Sequence, residues 1–222
     1  MSKEFGNDDP ALAEYVGDLY LPEDQILIDA RTRSAAAGLP DIQVAPLDGR
    51  HLEVLARLSG ARRAVEIGTL GGYSGVALLR GMGGPAGDAQ LDTIEIDPRH
   101  AEIARETFRR ADLANQARVH VGPALQVLPG LSAAGPFDLV FIDADKDNYA
   151  HYLDWATDNL RSGGLVLVDN AFLFGHLPER PVGPRAVAIR AMQAVHEALA
   201  RGGKFRATVL PTGEGLAVGV RV

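Results

Sequence analysis

The stretch FDLVFIDADKDNY, residues 137–149, joins a hydrophobic run directly to a cluster of charged side chains. Its first part, FDLVFID (137–143), has the pattern of a short buried strand. Three aspartates and a lysine fall within five residues at its end, namely Asp143, Asp145, Lys146 and Asp147. A core strand that ends in this way is expected to carry charge to a ligand site at the edge of a sheet.

Short hydrophobic segments like this one recur along the chain between helical segments, which predicts an α/β fold. Four further segments indicate short buried strands: RAVEI (63–67), LDTIEI (91–96), ARVHV (117–121) and GLVLVD (164–169). Helical patterns lie between them, and RSGG (161–164) is typical of a helix end before the next strand. Alternation of this kind predicts a mostly parallel sheet that is covered by helices on both faces.

The two ends of the chain differ from this alternation. A long helical segment, residues 184–203, is followed by KFRATVLPTGEGLAVGVRV (204–222), which predicts an antiparallel hairpin at the sheet edge. Residues 1–60 have helical patterns and lie outside the predicted sheet. Because nothing resembles a linker, we expect one domain over residues 1–222, with an N-terminal helical extension at 1–60 and a sheet core at 61–222.

Composition narrows the functional classes. The chain has 222 residues, of which 46% are hydrophobic and 23% are charged, as in ordinary globular domains. It contains no cysteine, which excludes disulfides and thiolate chemistry and suits a reducing cytoplasm. The first ten residues do not have the pattern of a signal peptide, and no apolar run is long enough to span a bilayer. A net charge of −7 disfavours nucleic-acid binding. We therefore expect a cytoplasmic protein with no membrane or nucleic-acid partner.

The first predicted strand continues into a glycine-rich loop, VEIGTLGGYSG (65–75). Its glycines allow the backbone to approach a ligand closely, and the following helix begins about there, so that its N-terminus favours an anionic group. Ser74 could donate a hydrogen bond to a ligand carboxylate. Glu66 would repel a pyrophosphate but suits a ligand that carries an amine. The spacing is not the G-x-G-x-x-G of dinucleotide sites.

The next two strands add complementary features. Glu95, at the end of the second strand, could accept hydrogen bonds from both hydroxyls of a ribose, although a solubilising strand-end charge is the plainer interpretation. Asp97 is interpreted as the N-cap of the next helix. Gly122 and Ala124 are small enough for a flat ring to lie against the chain. A ligand with a ribose, a flat base, an amine and a carboxylate fits S-adenosylmethionine better than NAD.

The fourth and fifth strands end in oxygen donors. Asp143 ends one strand, and Asp169 and Asn170 end its predicted neighbour. Two carboxylates and an amide, with no histidine of ligand spacing nearby, suit a hard divalent cation such as Mg²⁺. A plain turn would explain Asp169 and Asn170 taken alone. His176 is a candidate to line the pocket.

These segments resemble those of the cation-dependent, S-adenosylmethionine-dependent O-methyltransferases of the catechol and caffeoyl-CoA type. The resemblance runs from about residue 42 to the C-terminus. It is carried, in order, by IQVAPLDGRHL (42–52), VEIGTLGGYS (65–74), IEID (94–97), GPALQVL (122–128), FIDADKDNY (141–149), GGLVLVDN (163–170) and GEGLAVGVR (213–221). It implies a Rossmann-like class I methyltransferase fold with a seven-stranded sheet, an N-terminal extension that covers the pocket, and a homodimer.

The resemblance also implies roles for individual residues. Metal ligands are expected at Asp143, Asp169 and Asn170, for Mg²⁺ or another divalent cation such as Mn²⁺ or Ca²⁺. Cofactor contacts are expected at Val44, Glu66, Gly68, Thr69, Gly72, Ser74, Glu95, Ala124 and Asp143. Lys146 is expected near the reacting oxygen with Asp143, as a base or as an electrostatic stabiliser, and plain charge balance is an alternative for it. Asp145 is a weaker candidate for substrate contact, and Asp147 is interpreted as a helix cap.

The expected reaction is methylation of a small catechol-like or vicinal-dihydroxy phenol, with a metal-chelated hydroxyl attacking the methyl group in line. One departure bears on the substrate. DNAFLFG (169–175) places Phe174 where plant caffeoyl-CoA enzymes have an asparagine that contacts substrate, which suggests a more apolar pocket. Glu214 replaces the aspartate that many relatives have in the last turn. Two alternatives stay open: an NAD-dependent oxidoreductase on a similar fold, and a non-catalytic module that binds the cofactor.

Overall fold

A computed structural model describes residues 9–20 and 23–222 of the chain. Three helices precede the sheet: α1 (Pro10–Tyr20), α2 (Gln25–Ala36) and α3 (Pro46–Ser59). The parts of the predicted N-terminal extension at residues 1–8 and 21–22 lie outside the described residues. Within the described part of the chain, no helix is long and apolar enough to cross a membrane.

The core is a seven-stranded sheet in the order β3-β2-β1-β4-β5-β7-β6. The strands are β1 (Arg63–Ile67), β2 (Gln90–Glu95), β3 (Ala117–Val121), β4 (Phe137–Ile142), β5 (Leu160–Val168), β6 (Phe205–Leu210) and β7 (Leu216–Arg221). The first five strands pair in parallel, whereas β7 runs antiparallel to both β5 and β6. The predicted parallel sheet and C-terminal hairpin are confirmed.

Helices cover both faces of this sheet. They are α4 (Tyr73–Gly81), α5 (Pro98–Arg110), α6 (Ala124–Leu131), α7 (Tyr149–Asn159) and α8 (Ala186–Arg201). Because successive side chains on a strand point to opposite faces, Val140 and Phe141 belong to different cores. Val140 packs in the core beneath α6, α7 and α8, and Phe141 in the core beneath α3, α4 and α5. This double burial explains why the central strands are continuous hydrophobic runs.

Two local predictions were wrong. RSGG does not end the helix: α7 stops at Asn159 because Leu160 is already extended, and Leu160 pairs with Phe137 at the start of β5. Asp147 does not cap α7 either, since Asn148 occupies the cap position and Asp147 lies in the short 3-10 turn before it.

The strand order places the ligand site. The chain adds β2 and β3 on one side of β1, and then returns to add β4 and β5 on the other side. The loops that leave β1 and β4 therefore diverge to opposite faces, which opens a crevice at their carboxyl ends. The glycine loop and the charged segment that follows Ile142 meet at this crevice.

Candidate active site

A cavity of about 1040 Å³ lies at the carboxyl ends of β1, β2, β4 and β5. Parts of α2, the loop at residues 40–45 and the first turn of α3 help to line it. Most of the predicted site residues line it too, namely Val44, Gly68, Thr69, Ser74, Glu95, Ala124, Asp143, Asp145, Lys146, Asp169, Asn170 and Phe174. Glu66 and Gly72 do not.

Gly68 allows two of the loops to touch. Its φ is +99°, and a Cβ built on it would lie 1.8 Å from the carbonyl oxygen of Asp143. The amide of Asp143 in turn donates a 2.8 Å hydrogen bond to the carbonyl of Ile67. Glycine is the residue that both adopts this positive φ readily and leaves room for the Asp143 carbonyl. Gly68, which follows β1, therefore fixes the start of the charged segment.

Glu66 differs from its predicted role. Its side chain is fully buried, and it accepts hydrogen bonds from Ser74 Oγ to Oε1 at 2.6 Å and from Thr93 Oγ1 to Oε2 at 2.6 Å. Burial raises the pKa of Glu66 to about 7, against the two hydrogen bonds that lower it. A direct contact between Glu66 and a ligand amine is therefore not available in this structure.

Ser74 and Gly72 lie on either side of the start of α4. The Ser74 hydroxyl lines the cavity and donates to Glu66, and its role as a donor to a ligand carboxylate stays a prediction. Gly72 is the N-cap of α4 with φ of +86°, and a Cβ there would press on Ala104 of α5 at 3.2 Å. The first turn of α4 borders the cavity through Tyr73 and Ser74, so the positive end of the helix dipole lies at the cavity wall.

Glu95 is held at the cavity wall by backbone donors. The amide of Leu70 donates to its Oε2 at 2.8 Å, and the amide of Asp97 donates to its Oε1 at 3.0 Å. Asp97 itself accepts from the amide of Arg99 and caps α5, as predicted. The Glu95 carboxylate is thus fixed at the carboxyl end of β2, where it lines the cavity.

Asp143, Asp169 and Asn170 come together because β4 and β5 are parallel neighbours, with Ile142 opposite Val168. Asp169 is buried, and its burial together with the charge of Asp143 raises its pKa to about 7. A cation between the two carboxylates would relieve this repulsion, and two carboxylates with an amide oxygen are the donors that Mg²⁺ prefers. The donor set therefore fits a divalent metal.

Asn170 combines a side-chain amide oxygen with an unusual backbone conformation. Its backbone φ is +52°, in the left-handed region that asparagine tolerates better than most residues. Among the described residues, no group of three or more His, Cys, Asp and Glu side chains could hold a metal. The predicted site thus depends on the amide of Asn170 in addition to its two carboxylates.

Lys146 makes three hydrogen bonds. Its Nζ donates to Asp143 Oδ1 at 3.1 Å, to the carbonyl of Ala144 at 3.0 Å and to the hydroxyl of Tyr149 at 2.6 Å. Tyr149 is fully buried, and burial raises its pKa well above the ordinary value. All three ammonium protons therefore have acceptors, which is the arrangement expected of a charged lysine.

The two predicted substrate residues are placed differently. Asp145 lines the cavity, but it accepts hydrogen bonds from Tyr152 and Asn148, which fix its position. Phe174 is 56% exposed with φ of +53°, and like Lys146 it lines both the main cavity and a smaller one of about 300 Å³. His176 lines that smaller cavity and bonds to Glu179.

Sequence reasoning missed Asp48. It lies in the first turn of α3, lines the cavity and accepts a 2.7 Å hydrogen bond from Thr212 in the loop between β6 and β7. Its charge also contributes to the raised pKa of Asp169. The only signal was its place within the IQVAPLDGRHL segment, 95 residues before Asp143, and no spacing rule connects positions so far apart.

Comparison with known proteins identifies the family. Residues 18–222 match the family model described as O-methyltransferase. The chain belongs to the O-methyltransferase family. It is 44% identical over 181 residues to a catechol O-methyltransferase of Mycobacterium tuberculosis, covering 82% of this chain and 80% of that protein. A catechol O-methyltransferase of Niastella koreensis is 39% identical over 184 residues, with 82% of each chain covered.

Solved O-methyltransferases have the same fold. The crystal structure of an O-methyltransferase from Bacillus cereus in complex with SAH matches this chain with a TM-score of 0.87 and 34% identity. The match covers 96% of this chain and 97% of that one. Membership of the O-methyltransferase family confirms the resemblance and the enzyme class predicted from the sequence, and it disfavours the NAD-dependent alternative.

Proposed function

We propose that this O-methyltransferase transfers a methyl group from S-adenosylmethionine to a catechol-like phenol with the help of a divalent cation. The observation that carries the proposal is the meeting of Asp143, Asp169 and Asn170 in one cavity beside Lys146. Two relatives named catechol O-methyltransferase support the substrate class, and the SAH complex of the Bacillus cereus protein supports the cofactor.

The cofactor would occupy the half of the cavity at β1, β2 and β3. Glu95 offers a carboxylate held in place by two backbone amides, which suits the two hydroxyls of a ribose. Ala124 begins α6 and lines the cavity, so its small side chain leaves room for a flat base. The N-terminus of α4 suits the amino-acid carboxylate. S-adenosylmethionine would supply the methyl group from its sulfonium.

The acceptor would occupy the half of the cavity at β4 and β5. Held by Asp143, Asp169 and Asn170, a divalent cation would stabilise the phenolate and orient it towards the methyl group. Asp143 follows β4, and its carbonyl lies against Gly68 at the end of β1, so Asp143 would align the acceptor with the cofactor. Placement of this kind can contribute up to about 7–11 kcal/mol in favourable cases.

Lys146 would act on the acceptor as a fixed positive charge. A phenol has a pKa of about 10, so loss of its proton near neutral pH needs nearby positive charge. Lys146 already donates all three protons, and one goes to Asp143. This arrangement supports electrostatic stabilisation of the phenolate, with the phenol proton passing to water, over a role as the base.

The test compares two benzenediols that differ only in the spacing of their hydroxyls. Purified protein is incubated with S-adenosylmethionine and either catechol or resorcinol, and methylated product is measured with Mg²⁺, with EDTA, and with Mg²⁺ restored. We expect turnover of catechol alone, loss in EDTA and recovery with Mg²⁺. Equal turnover of resorcinol would contradict chelation, and full activity in EDTA would contradict the metal.

We also propose that the protein is a homodimer. Among its described side chains, helix α1 exposes four large ones, since Leu12, Tyr15, Leu19 and Tyr20 are 44%, 65%, 56% and 64% exposed. A second copy is a natural cover for apolar side chains of this kind. Light scattering after size-exclusion chromatography should give twice the mass of the 23.6 kDa chain, and Tyr15→Ser with Leu19→Ser should shift the protein to the monomer.

A further inference from the structure

A second, smaller cavity adjoins the acceptor end of the main one. It has a volume of about 300 Å³ and is lined by Lys146, Leu173, Phe174, His176, Arg185 and Ala188. Lys146 and Phe174 also line the main cavity, so the two spaces are neighbours. Because Lys146 donates a hydrogen bond to Asp143, the smaller cavity lies beside the proposed metal ligands.

The side chains around the smaller cavity differ in charge from those around the main one. Within the described part of the chain, half of its lining residues are basic and none is an aspartate or a glutamate. In the lining of the main cavity, by contrast, acidic side chains outnumber basic ones. The smaller cavity therefore favours an anionic group, whereas the main one favours a cation.

Arg185 is the basic residue of this lining whose donors are unused. All three protons of Lys146 have acceptors, and Nδ1 of His176 bonds to Glu179 at 2.7 Å. Arg185 is exposed and has no hydrogen-bond or ion-pair partner among the described residues. It directly precedes α8, where the helix dipole repels a positive charge, so it does not stabilise that helix. Its guanidinium can present two parallel N–H groups to a carboxylate.

The other lining residues suit a short hydrocarbon chain. Leu173, Phe174 and Ala188 give the smaller cavity an apolar wall between its basic side chains. Helix α8 packs against the turn Lys146–Asn148, so the elements that carry Arg185 and Lys146 are in contact. An anionic group on a short apolar chain would match both features of the lining.

We propose that the smaller cavity binds a carboxylate that the catechol ring carries on a short chain, with Arg185 as the binding residue. The acceptor would then be held at two points, by its hydroxyls at the proposed metal and by its acid at Arg185. This narrows the substrate class of the proposed methyl transfer and rests on that function. A net charge of −7 disfavours anionic substrates in general, so a preference for one requires local positive charge of this kind.

The experiment compares 3-(3,4-dihydroxyphenyl)propanoate with its primary amide. The two acceptors have the same size and the same ring hydroxyls, and the saturated chain keeps their hydroxyls similarly acidic, so the charge of the tail is the main difference. Initial rates with S-adenosylmethionine and Mg²⁺ give kcat/KM for each. We expect the unaltered protein to prefer the acid about tenfold, through a lower KM, because the charge-assisted pair is present in both the ground state and the transition state.

Two arginines of one segment provide the variant and its matched control. Arg185→Gln should lower the ratio of acid to amide from about ten to about one. Arg190→Gln removes the same charge from an exposed position of α8 that lines neither cavity, and it should leave the ratio at about ten. Circular dichroism shows whether each variant is folded. If Arg185→Gln is not, Arg185→Ser replaces it with the same expected ratio, since serine is a favoured residue at the start of a helix.

The outcomes separate the carboxylate site from the proposed function. Turnover of catechol without a preference for the acid over the amide would overturn the carboxylate site alone. A preference that survives the loss of Arg185, or that Arg190→Gln removes equally, would overturn it as well. Failure to methylate catechol, the acid and the amide would instead overturn the proposed function. A preference for the acid that depends on Arg185 and not on Arg190 supports the inference.

Discussion

The carboxyl ends of β1 and β2 and those of β4 and β5 line the same cavity, yet they hold their carboxylates in opposite ways. Glu66 and Glu95 each accept two hydrogen bonds from neutral groups of the protein. Asp143 and Asp169 face each other with Lys146 as their nearby positive charge. The hydrogen bonds already hold Glu66 and Glu95 in place, so the cavity at β1 and β2 needs no cation. The cavity at β4 and β5 has an excess of negative charge that a cation would balance.

The largest expected effect on turnover comes from the carboxylates at the ends of β4 and β5. Asp169→Ala should lower turnover of catechol by about a thousandfold or more, because the proposed metal would lose a ligand that contributes several kcal/mol. It should also raise the melting temperature in the absence of metal, since a buried carboxylate beside Asp143 is removed. Asp158→Ala, on the exposed side of α7, is the matched control and should change neither. Retained turnover would remove the metal assignment.

The raised pKa of Glu66, at the end of β1, predicts that the stability of the fold depends on pH. Folded Glu66 keeps its proton up to about pH 7, whereas the unfolded chain loses it near 4.5, so unfolding releases a proton between these values. The stability conferred by this proton is present below pH 4.5 and is lost as pH rises to 7. Urea unfolding should therefore show Glu66→Gln gaining up to about 3 kcal/mol on the unaltered protein between pH 4.5 and 7. A constant difference would contradict the raised pKa.

The next prediction concerns the close contact between Gly68, after β1, and the carbonyl of Asp143, after β4. Gly68→Ala places a methyl group against the carbonyl of Asp143, so it should destabilise the fold by about 3 kcal/mol in urea unfolding. Gly60→Ala is the matched control, since Gly60 also has positive φ, of +63°, but open space around it. It should lose only about 1 kcal/mol, from backbone strain. Equal losses would mean that the close approach is unimportant.

The smallest effect in this series separates two roles of Lys146. Lys146→Met should lower turnover by about thirtyfold, near 2 kcal/mol, through loss of a positive charge beside the acceptor. Kd for S-adenosylhomocysteine should change little. If Lys146 is an electrostatic stabiliser, Lys146→Arg recovers most of the turnover, because arginine keeps the charge but cannot act as a base. Failure of arginine to rescue would favour the base.

The sequence was sufficient to predict the sheet and to bring together the polar residues that follow β4 and β5. Parallel strands bring their carboxyl ends to one edge, so the polar residues that follow β4 and β5 had to meet. It was insufficient for Glu66, because a strand pattern does not reveal whether a strand-end side chain faces the cavity or the core. Glu66 is buried in the core, where it accepts a hydrogen bond from the hydroxyl of Thr93, 27 residues away on β2. Asp48 escaped notice for a similar reason, since its partner Thr212 is 164 residues away.

The left-handed backbone of Asn170 narrows what this position can be. Glycine would keep the bend but lose the oxygen proposed to bind the metal, and alanine would lose that oxygen and strain the bend. Aspartate tolerates the conformation, but it would add a third negative charge to a pair that already repels itself. Shape and charge are thus constrained by the same side chain. An engineer who wants to change the donor set at this edge of the sheet therefore meets fewer constraints on the backbone at Asp143 or Asp169, whose φ angles are not positive, than at Asn170.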